Sequence, residues 1–163
     1  MIEIRKATEM DNDGVWKIFS EVVKKGDTYV FPDDTPKADL RKYWFTPEME
    51  TYVAESENGE IVGTYFLKPN YPGRGNHIAN AGYMVKPSQQ GKGIGKQLCE
   101  HSMQIAEDLG YIAMQFNIVV STNTAAVRLW QKFDFEIIGT TPNGFQHKEL
   151  GLVDTYVMWR GLK

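Results

Sequence analysis

Apolar and polar residues alternate with two different periods along the chain, and each period predicts a type of secondary structure. Ile2 to Ala7 alternates apolar and charged side chains, which is typical of a half-buried strand. Apolar residues at helical spacing from Val15 to Val23 predict an amphipathic helix over about residues 10–25, ended by Gly26. The same reasoning predicts a short helix at 37–43, longer helices at 98–109 and 125–132, and strands at 51–56, 61–67, 77–85, 111–120, 135–139 and 154–159.

The order of these elements predicts an α/β (α+β) fold in which helices cover a mixed sheet. Asn58-Gly59 indicates a hairpin between the second and third strands, because this pair tolerates positive φ. A polar loop is expected between the last two strands. No repeat, low-complexity segment or linker interrupts the pattern, so residues 1–163 are expected to form a single domain.

A glycine-rich turn joins the strand that ends at Val85 to the central helix. Three glycines fall between Gly91 and Gly95, directly before the apolar positions of the helix. Backbone N–H groups at such a helix start lack partners within the helix and carry a partial positive charge, which suits a phosphate group. Lys92 and Lys96 add positive charge beside the turn. The turn is therefore predicted to bind a phosphate-bearing molecule.

The composition mainly excludes some classes of function and of bound partner. The 163 residues are 42% hydrophobic and 24% charged, as in ordinary globular proteins, and the formal net charge of −3 argues against non-specific nucleic-acid binding. Cys99 is the only cysteine, so neither an internal disulfide nor a thiolate metal cluster is expected. No apolar run is long enough to span a membrane and no secretory signal is visible, so a cytoplasmic protein without a membrane partner is expected.

The segment from Asp27 to Pro36 is predicted to be a loop, because it combines two prolines with several polar residues. Its aromatic residues Tyr29 and Phe31 have two interpretations. They cover a substrate pocket, or they cap the core beneath a long loop.

Two motifs in the second half of the chain have a recognisable spacing. The first is Val85-x-Pro87-x-x-Gln90-Gly91-x-Gly93-Ile94-Gly95, and the second is Asn123-x-x-Ala126-x-x-Leu129-Trp130-x-x-x-Asp134-Phe135. The first resembles the acetyl-CoA motif of the GCN5-related N-acetyltransferases, the GNAT superfamily, and the second resembles another signature of that family. The order of strands and helices also agrees, so the resemblance covers nearly the whole chain. The spacing disfavours a dinucleotide fingerprint and a triphosphate-binding loop.

The resemblance implies a fold and a co-substrate. The fold is a mixed, mostly antiparallel sheet of about seven strands flanked by about four helices, with a bulged and splayed central strand whose bulge is expected at Gly82. The co-substrate is acetyl-CoA, and no metal is needed. The turn amides would hold its pyrophosphate, the central strand would pair with its pantetheine arm, and a strand amide would polarise the acetyl carbonyl. The residues expected to contact acetyl-CoA are Tyr83, Met84, Val85, Gln90, Gly91, Lys92, Gly93, Ile94, Gly95, Lys96, Asn123 and Trp130.

Trp130 departs from the family pattern, because many relatives carry there a tyrosine whose hydroxyl can protonate the leaving thiolate. An indole N–H is not a usable acid at neutral pH, so this role is not transferred. Either water or another group protonates the sulfur, or the thiolate leaves without a dedicated acid. Trp130 packs on the cofactor arm or belongs to the core, whereas Asn123 contacts the cofactor, caps its helix, or does both.

Three further segments, at residues 68–74, 80–83 and 116–123, resemble the fungal acetyltransferases that act on L-azetidine-2-carboxylate and related proline analogues. This resemblance implies that Asn80 and Asn117 hold the substrate carboxylate or orient its amine, while Asn123 assists the acetyl group. These three asparagines are the expected catalytic residues. The expected substrate contacts are Tyr29, Phe31, Asn80 and Asn117. The alternative for Asn80 and Asn117 is that they are hydrogen-bonded strand residues without a role in the site.

The sequence therefore predicts an acetyl-CoA-dependent N-acetyltransferase in which a small-molecule amine, such as an amino acid or proline analogue, attacks the thioester directly. The alternatives are another acceptor, namely an antibiotic, a polyamine or a protein N-terminus, and a non-catalytic acyl-CoA sensor. The general base is not assigned, and Glu55, Asp33 and Asp34 are its candidates. A homodimer is a further expectation from the resemblance, and strand 156–159 would belong either to that interface or to the core.

Overall fold

Seven strands and four α-helices form the structure, and the computed structural model describes all of residues 1–163. The helices are α1 (Asn12–Lys25), α2 (Leu40–Trp44), α3 (Ile94–Asp108) and α4 (Thr124–Lys132). The strands are β1 (Ile2–Lys6), β2 (Glu50–Ser56), β3 (Ile61–Pro69), β4 (Ile78–Val85), β5 (Ala113–Val120), β6 (Glu136–His147) and β7 (Gly151–Gly161). Every helix and strand predicted from the hydrophobic pattern is present, and the predicted fold class is confirmed.

All seven strands belong to one sheet, in the order β1-β2-β3-β4-β5-β7-β6. Every neighbouring pair is antiparallel except β4 and β5, which run parallel in the middle of the sheet. No helix is long and apolar enough to cross a membrane.

Each face of the sheet carries its own hydrophobic cluster. One cluster includes Leu98 of α3, Trp130 of α4 and Phe116 of β5. The other packs α1 and α2 against the opposite face and includes Phe19 and Trp44, both fully buried. Because successive strand residues point to opposite faces, neighbouring positions of one strand feed different clusters. Helices on both faces thus hold the sheet in place on either side of its parallel pair.

The parallel pair is short, and this is the feature that creates the site. Strands β4 and β5 pair only at Ile78 with Ala113 and at Ala79 with Met114, after which they diverge. The predicted splay of the central strand is therefore confirmed.

The predicted bulge at Gly82 is wrong. The pairing of β4 with β3 continues without a register shift, and Gly82 lies opposite Phe66 within it. A Cβ atom at Gly82 would lie 2.5 Å from Cε2 of Phe66, so the glycine makes room for this ring rather than for a bulge. The shift at the cleft is instead in β5, between Phe116 and Val119, against β7.

The last two strands are longer than predicted, and the expected polar loop between them is mostly a β-hairpin. Strand β6 is the edge of the sheet and is exposed along most of its length, so its residues lack the alternation that marks a half-buried strand. Met158 of β7 is fully buried between β5 and β6, which places this part of strand 156–159 in the core. The homodimer stays a prediction.

Candidate active site

A cavity of about 810 Å³ opens where β4 and β5 diverge. Its walls are the glycine turn, the diverging parts of β4 and β5, helix α4 and the loop that follows α1. It brings together the predicted site residues Tyr29, Phe31, Asn80, Tyr83, Met84, Val85, Gln90, Gly91, Gly93, Ile94, Gly95, Lys96, Asn117, Asn123 and Trp130. Lys92 alone of the predicted set does not line the cavity; it is exposed, and its Nζ donates to Oε1 of Gln89 at 3.1 Å.

The glycine turn presents bare backbone to the cavity. Gly91 and Gly93 have φ of +79° and +81°, a region that L side chains rarely adopt, and no atom lies within 4 Å of a Cβ built on either residue. The first hydrogen bond of α3 runs from the Gln97 amide to the Gly93 carbonyl at 3.1 Å. The amides of residues 91–96 have no hydrogen-bond partner within the chain, so they are available to phosphate oxygens.

Four basic side chains line the cavity. Lys96 lines the cavity on α3, and Arg128 and Lys132 line it on α4, with Lys25 at the end of α1. Sequence reasoning missed Arg128 and Lys132. Their spacing of four residues, close after Asn123, was the available signal, because residues four apart share one side of a helix.

The register of β4 against β3 determines which backbone groups of β4 face the cavity. The Lys86 amide donates to the Val62 carbonyl, so hydrogen-bonded and non-hydrogen-bonded residue pairs alternate from there along β3 and β4. This alternation turns the N–H and C=O groups of Tyr83 and Val85 away from β3 and toward the cavity. The backbone of Met84 faces β3 and its side chain is buried, so the backbone contact expected for Met84 is incompatible with this geometry.

The side chain of Tyr29 reaches this edge. Its hydroxyl accepts a hydrogen bond from the Tyr83 amide and donates one to the Tyr83 carbonyl, each at 2.7 Å. The Tyr29 ring stacks on Phe31 at 5.8 Å between centroids, and Phe31 lies 5.3 Å from Phe19 of the core. The two rings pack against the core cluster, as one interpretation predicted, and they also line the cavity, where their contact with a substrate stays a prediction.

Side-chain amides form a connected group on the part of the sheet that faces this loop. Asn80 Nδ2 donates to the Gln115 carbonyl at 3.0 Å. Gln115 Nε2 donates to Asn117 Oδ1 at 3.0 Å, and Asn117 Nδ2 donates to Asn70 Oδ1 at 2.8 Å. Asn80 Oδ1 has no partner within the chain, so an acceptor atom remains available in the cavity. The links through Gln115 and Asn70 were not predicted.

Asn123 and Trp130 each have a structural role at the cavity wall. Asn123 Oδ1 accepts from the Ala126 amide at 3.3 Å and so caps α4. Trp130 is 8% exposed and lies between the rings of Tyr83, at 4.9 Å, and Phe116, at 4.8 Å. Trp130 is therefore a core residue with one edge at the cavity.

Asp27 is the one carboxylate that lines the cavity. Its side chain is 30% exposed and lies 3.8 Å from Lys25 Nζ. None of the three sequence candidates for the general base lines the cavity, and two of them form ion pairs elsewhere: Glu55 with Arg5 at 2.7 Å and Asp33 with Lys148 at 3.4 Å.

Two other reactive side chains lie outside the cavity. Burial raises the pKa of the Cys99 thiol to about 12, so Cys99 is a protonated core residue rather than a nucleophile. His101 Nδ1 is 2.8 Å from the Tyr65 hydroxyl, and burial lowers the pKa of this histidine. No group of three or more His, Cys, Asp or Glu side chains is arranged to hold a metal ion.

The split sheet thus brings bare backbone amides and a group of side-chain amides to one cavity, and this arrangement suits an elongated phosphate-bearing molecule. The model of the acetyltransferase (GNAT) family matches residues 16–135. The chain belongs to this family, as its two motifs predicted.

Relatives and solved structures agree with this assignment. N-acetyltransferase aca1 of Schizosaccharomyces pombe is 38% identical over 98 residues, which cover 60% of this chain and 47% of that protein, so the chain spans about half its length. The L-methionine sulfoximine/L-methionine sulfone acetyltransferase of Pseudomonas aeruginosa is 31% identical over 147 residues, covering 85% and 83%. The structure of a GCN5-related N-acetyltransferase from Kribbella flavida superposes with a TM-score of 0.94 at 38% identity, covering 99% and 98%.

Replacing Gly93 by alanine tests the phosphate-binding turn. An L residue at positive φ is strained by about 1 kcal/mol, so the turn relaxes and its amides lose their common direction. We expect the Kd for CoA, measured by calorimetry, to rise at least about tenfold. Gly110→Ala is the matched control, because Gly110 also has positive φ (+88°) and no atom near its Cβ position but does not line the cavity. Equal CoA affinity in the two folded variants would contradict the assignment.

Proposed function

We propose that residues 1–163 form a single acetyltransferase domain that transfers the acetyl group of acetyl-CoA to the amine of a small amino-acid-like molecule. The observation that carries this proposal is one cavity that joins a phosphate-binding turn, an open strand edge and a group of side-chain amides. Acetyl-CoA is a substrate here, because it is consumed. The amine attacks the thioester carbon directly, without an acetyl-enzyme intermediate.

The donor side fits acetyl-CoA by charge and shape. The amides of residues 91–96 bind the pyrophosphate, and Lys96, Arg128 and Lys132 supply the positive charge that a phosphate-rich molecule requires. The open edge of β4 at Tyr83 and Val85 pairs with the amide groups of the pantetheine arm, as an added strand would. Asn123 and the exposed edge of Trp130 border the same arm.

The acceptor side fits an amino acid. Asn80 and Asn117 offer amide N–H groups to a carboxylate and, at Asn80 Oδ1, an acceptor to an amine. The Pseudomonas aeruginosa relative is by its name an acetyltransferase of L-methionine sulfoximine and L-methionine sulfone, both amino-acid derivatives. The resemblance to the enzymes for proline analogues adds cyclic amino acids to the acceptors that we propose.

Contacts at the acceptor wall favour a small molecule over a polypeptide. Lys148, in the turn between β6 and β7, donates from Nζ to the Lys24 carbonyl at 2.8 Å and from its amide to the Gly26 carbonyl at 2.9 Å. Asp33 lies 3.4 Å from the same Nζ. The hairpin is thus fastened to both ends of the segment that carries Tyr29, and this wall is closed by tertiary contacts.

We assign Asp27 as the group that attracts the amine and accepts its proton, directly or through water. It is the one carboxylate at the cavity wall and lies two residues before Tyr29. The thiolate leaves without a dedicated acid, because a thiol of pKa about 8.5 is a good leaving group near neutral pH.

Release of free thiol from acetyl-CoA, measured against a panel of amines, tests the function. The panel contains free amino acids, methionine sulfoximine, azetidine-2-carboxylate, a polyamine, an aminoglycoside and a peptide with a free N-terminus. We expect turnover with an amino acid or amino-acid analogue and no comparable turnover with the peptide. CoA binding without thiol release for any amine would show a sensor instead.

Asn117→Ala tests the acceptor site. Loss of hydrogen bonds to a charged group costs about 1.5–3 kcal/mol, so we expect kcat/KM for the amine to fall at least about tenfold. The Kd for CoA should not change, because Asn117 lies on the acceptor side. Asn76→Ala is the control, since Asn76 is exposed and outside the cavity. Full activity of the Asn117 variant would remove this residue from the site.

Asp27→Asn tests the proton acceptor. An amide cannot take a proton, so we expect kcat/KM for the amine at pH 7 to fall about 10²-fold, the lower range for loss of a general base. Asp34→Asn should leave the rate unchanged, because Asp34 is exposed and outside the cavity. A similar rate in both variants would show that bulk water accepts the proton.

A further inference from the structure

Tyr29 takes the position that a neighbouring strand would occupy beside β4. A strand partner would accept from the Tyr83 amide and donate to the Tyr83 carbonyl, and the single hydroxyl of Tyr29 makes both hydrogen bonds at 2.7 Å. An oxygen atom is therefore held in line with a β4 amide inside the cavity. A carbonyl oxygen polarised by this amide would have to lie at the same place.

The ring of Tyr29 packs against other aromatic rings, and its side chain also lines the cavity. The ring stacks on Phe31 at 5.8 Å and lies edge-on to Trp44 at 6.0 Å. The position of a Gly82 Cβ lies 3.3 Å from the Tyr29 oxygen but is filled by the Phe66 ring, so the room for movement lies on the cavity side. The phenol oxygen is fixed to the ring, so the hydroxyl leaves the Tyr83 amide only when the whole Tyr29 side chain rotates toward the cavity that it lines.

We propose that Tyr29 is a catalytic residue. Its hydroxyl leaves the Tyr83 amide, which then donates its hydrogen bond to the thioester carbonyl oxygen. The Tyr29 hydroxyl donates a second hydrogen bond to the same oxygen. This inference rests on the proposed function. The amine nitrogen forms the C–N bond, and the carbonyl π electrons move to the oxygen that the Tyr83 amide and Tyr29 hydroxyl stabilise. When the electrons return, the C–S bond breaks and the thiolate leaves with the bonding pair. The amine proton passes to Asp27 or water and finally to the thiolate sulfur.

Tyr29 donates a hydrogen bond in this scheme and does not transfer its proton. Burial raises the pKa of the Tyr29 phenol, so the hydroxyl stays protonated across the neutral range. A phenol of raised pKa is a poor acid toward a thiolate, whereas a neutral donor aimed at a developing oxyanion lowers the barrier. Tyr29 therefore does not replace the acid that is missing at Trp130.

Tyr29→Phe tests the proposal. Removal of one oxyanion donor lowers kcat by about 10²–10³-fold in well-studied cases, and we expect a fall of about 10²-fold with saturating substrates. The Kd for CoA and the KM for acetyl-CoA should not rise, because the variant keeps the ring and removes a competitor for the Tyr83 amide. Tyr43→Phe is the matched control and should keep the wild-type kcat, because the Tyr43 hydroxyl makes no hydrogen bond within the chain and lies outside the cavity.

A second substitution separates a hydrogen-bond donor from a structural bridge. 3-Fluorotyrosine at position 29 keeps both ring and hydroxyl, and its phenol has a lower pKa than tyrosine. Burial raises the pKa at this position, so both phenols stay neutral at pH 7, and the more acidic phenol is the stronger donor; kcat at pH 7 should therefore exceed the wild-type value. A kcat equal to or below that of the wild type would overturn the donor role.

Three other results have distinct meanings. Unchanged kcat in Tyr29→Phe overturns the inference alone, and so does a raised KM for the amine at unchanged kcat, which would make Tyr29 only a wall of the acceptor site. Wild-type protein that binds CoA but acetylates no amine overturns the proposed function, and this inference with it.

Discussion

An unpaired strand edge inside a sheet is the constraint on which the structure depends. Backbone N–H and C=O groups that leave water need partners, and a strand in the middle of a sheet ordinarily finds them on both sides. Beyond Ala79, strand β4 has a partner only on the side of β3, because β5 has turned away. At Tyr83 the hydroxyl of Tyr29 supplies the missing hydrogen-bond partner for both backbone groups. In the proposed function, the pantetheine arm pairs with the rest of this edge. The same unmet hydrogen bonds that would weaken an ordinary sheet are therefore the basis of the binding site that we propose.

The separation of the two strands is maintained by packing on both faces. On one face, Trp130 fills the space between Tyr83 of β4 and Phe116 of β5, with ring centroids 4.9 and 4.8 Å away. On the other face, Trp44 packs edge-on against Phe66 at 4.8 Å, and Phe66 in turn requires Gly82. Closing the cleft would require these rings to move out of a close-packed core. Trp130 thus has a clear structural use at a position where many relatives of this family have a catalytic tyrosine.

The sequence was sufficient for the elements and for the glycine turn, because both depend on local signals. Periodicity located every helix, and the glycine turn was recognised because its geometry needs small residues at fixed spacing. The bulge, the orientation of Met84 and the length of β6 could not be obtained in this way. The first two depend on the register of β3 against β4, and an exposed edge strand has no hydrophobic period to detect. Asp27 was missed because a charged side chain at a cavity wall has the same local sequence as one in solvent, and the spacing of Arg128 and Lys132 also occurs on solvated helix faces.

The two sides of the cavity also differ in what builds them, and this difference bears on how the acceptor is chosen. The donor side is built largely from main-chain groups, whose directions are fixed by a strand and a helix start, so many side-chain changes would leave it intact. The acceptor side that we propose consists of the side chains of Asn80, Asn117, Asp27 and Tyr29, and two of these lie in a loop held by Lys148. One carboxylate among neutral amides suits a single amine beside a carboxylate better than a polycation. Changes in this loop would therefore alter the acceptor while the strand edge at Tyr83 continued to position the thioester.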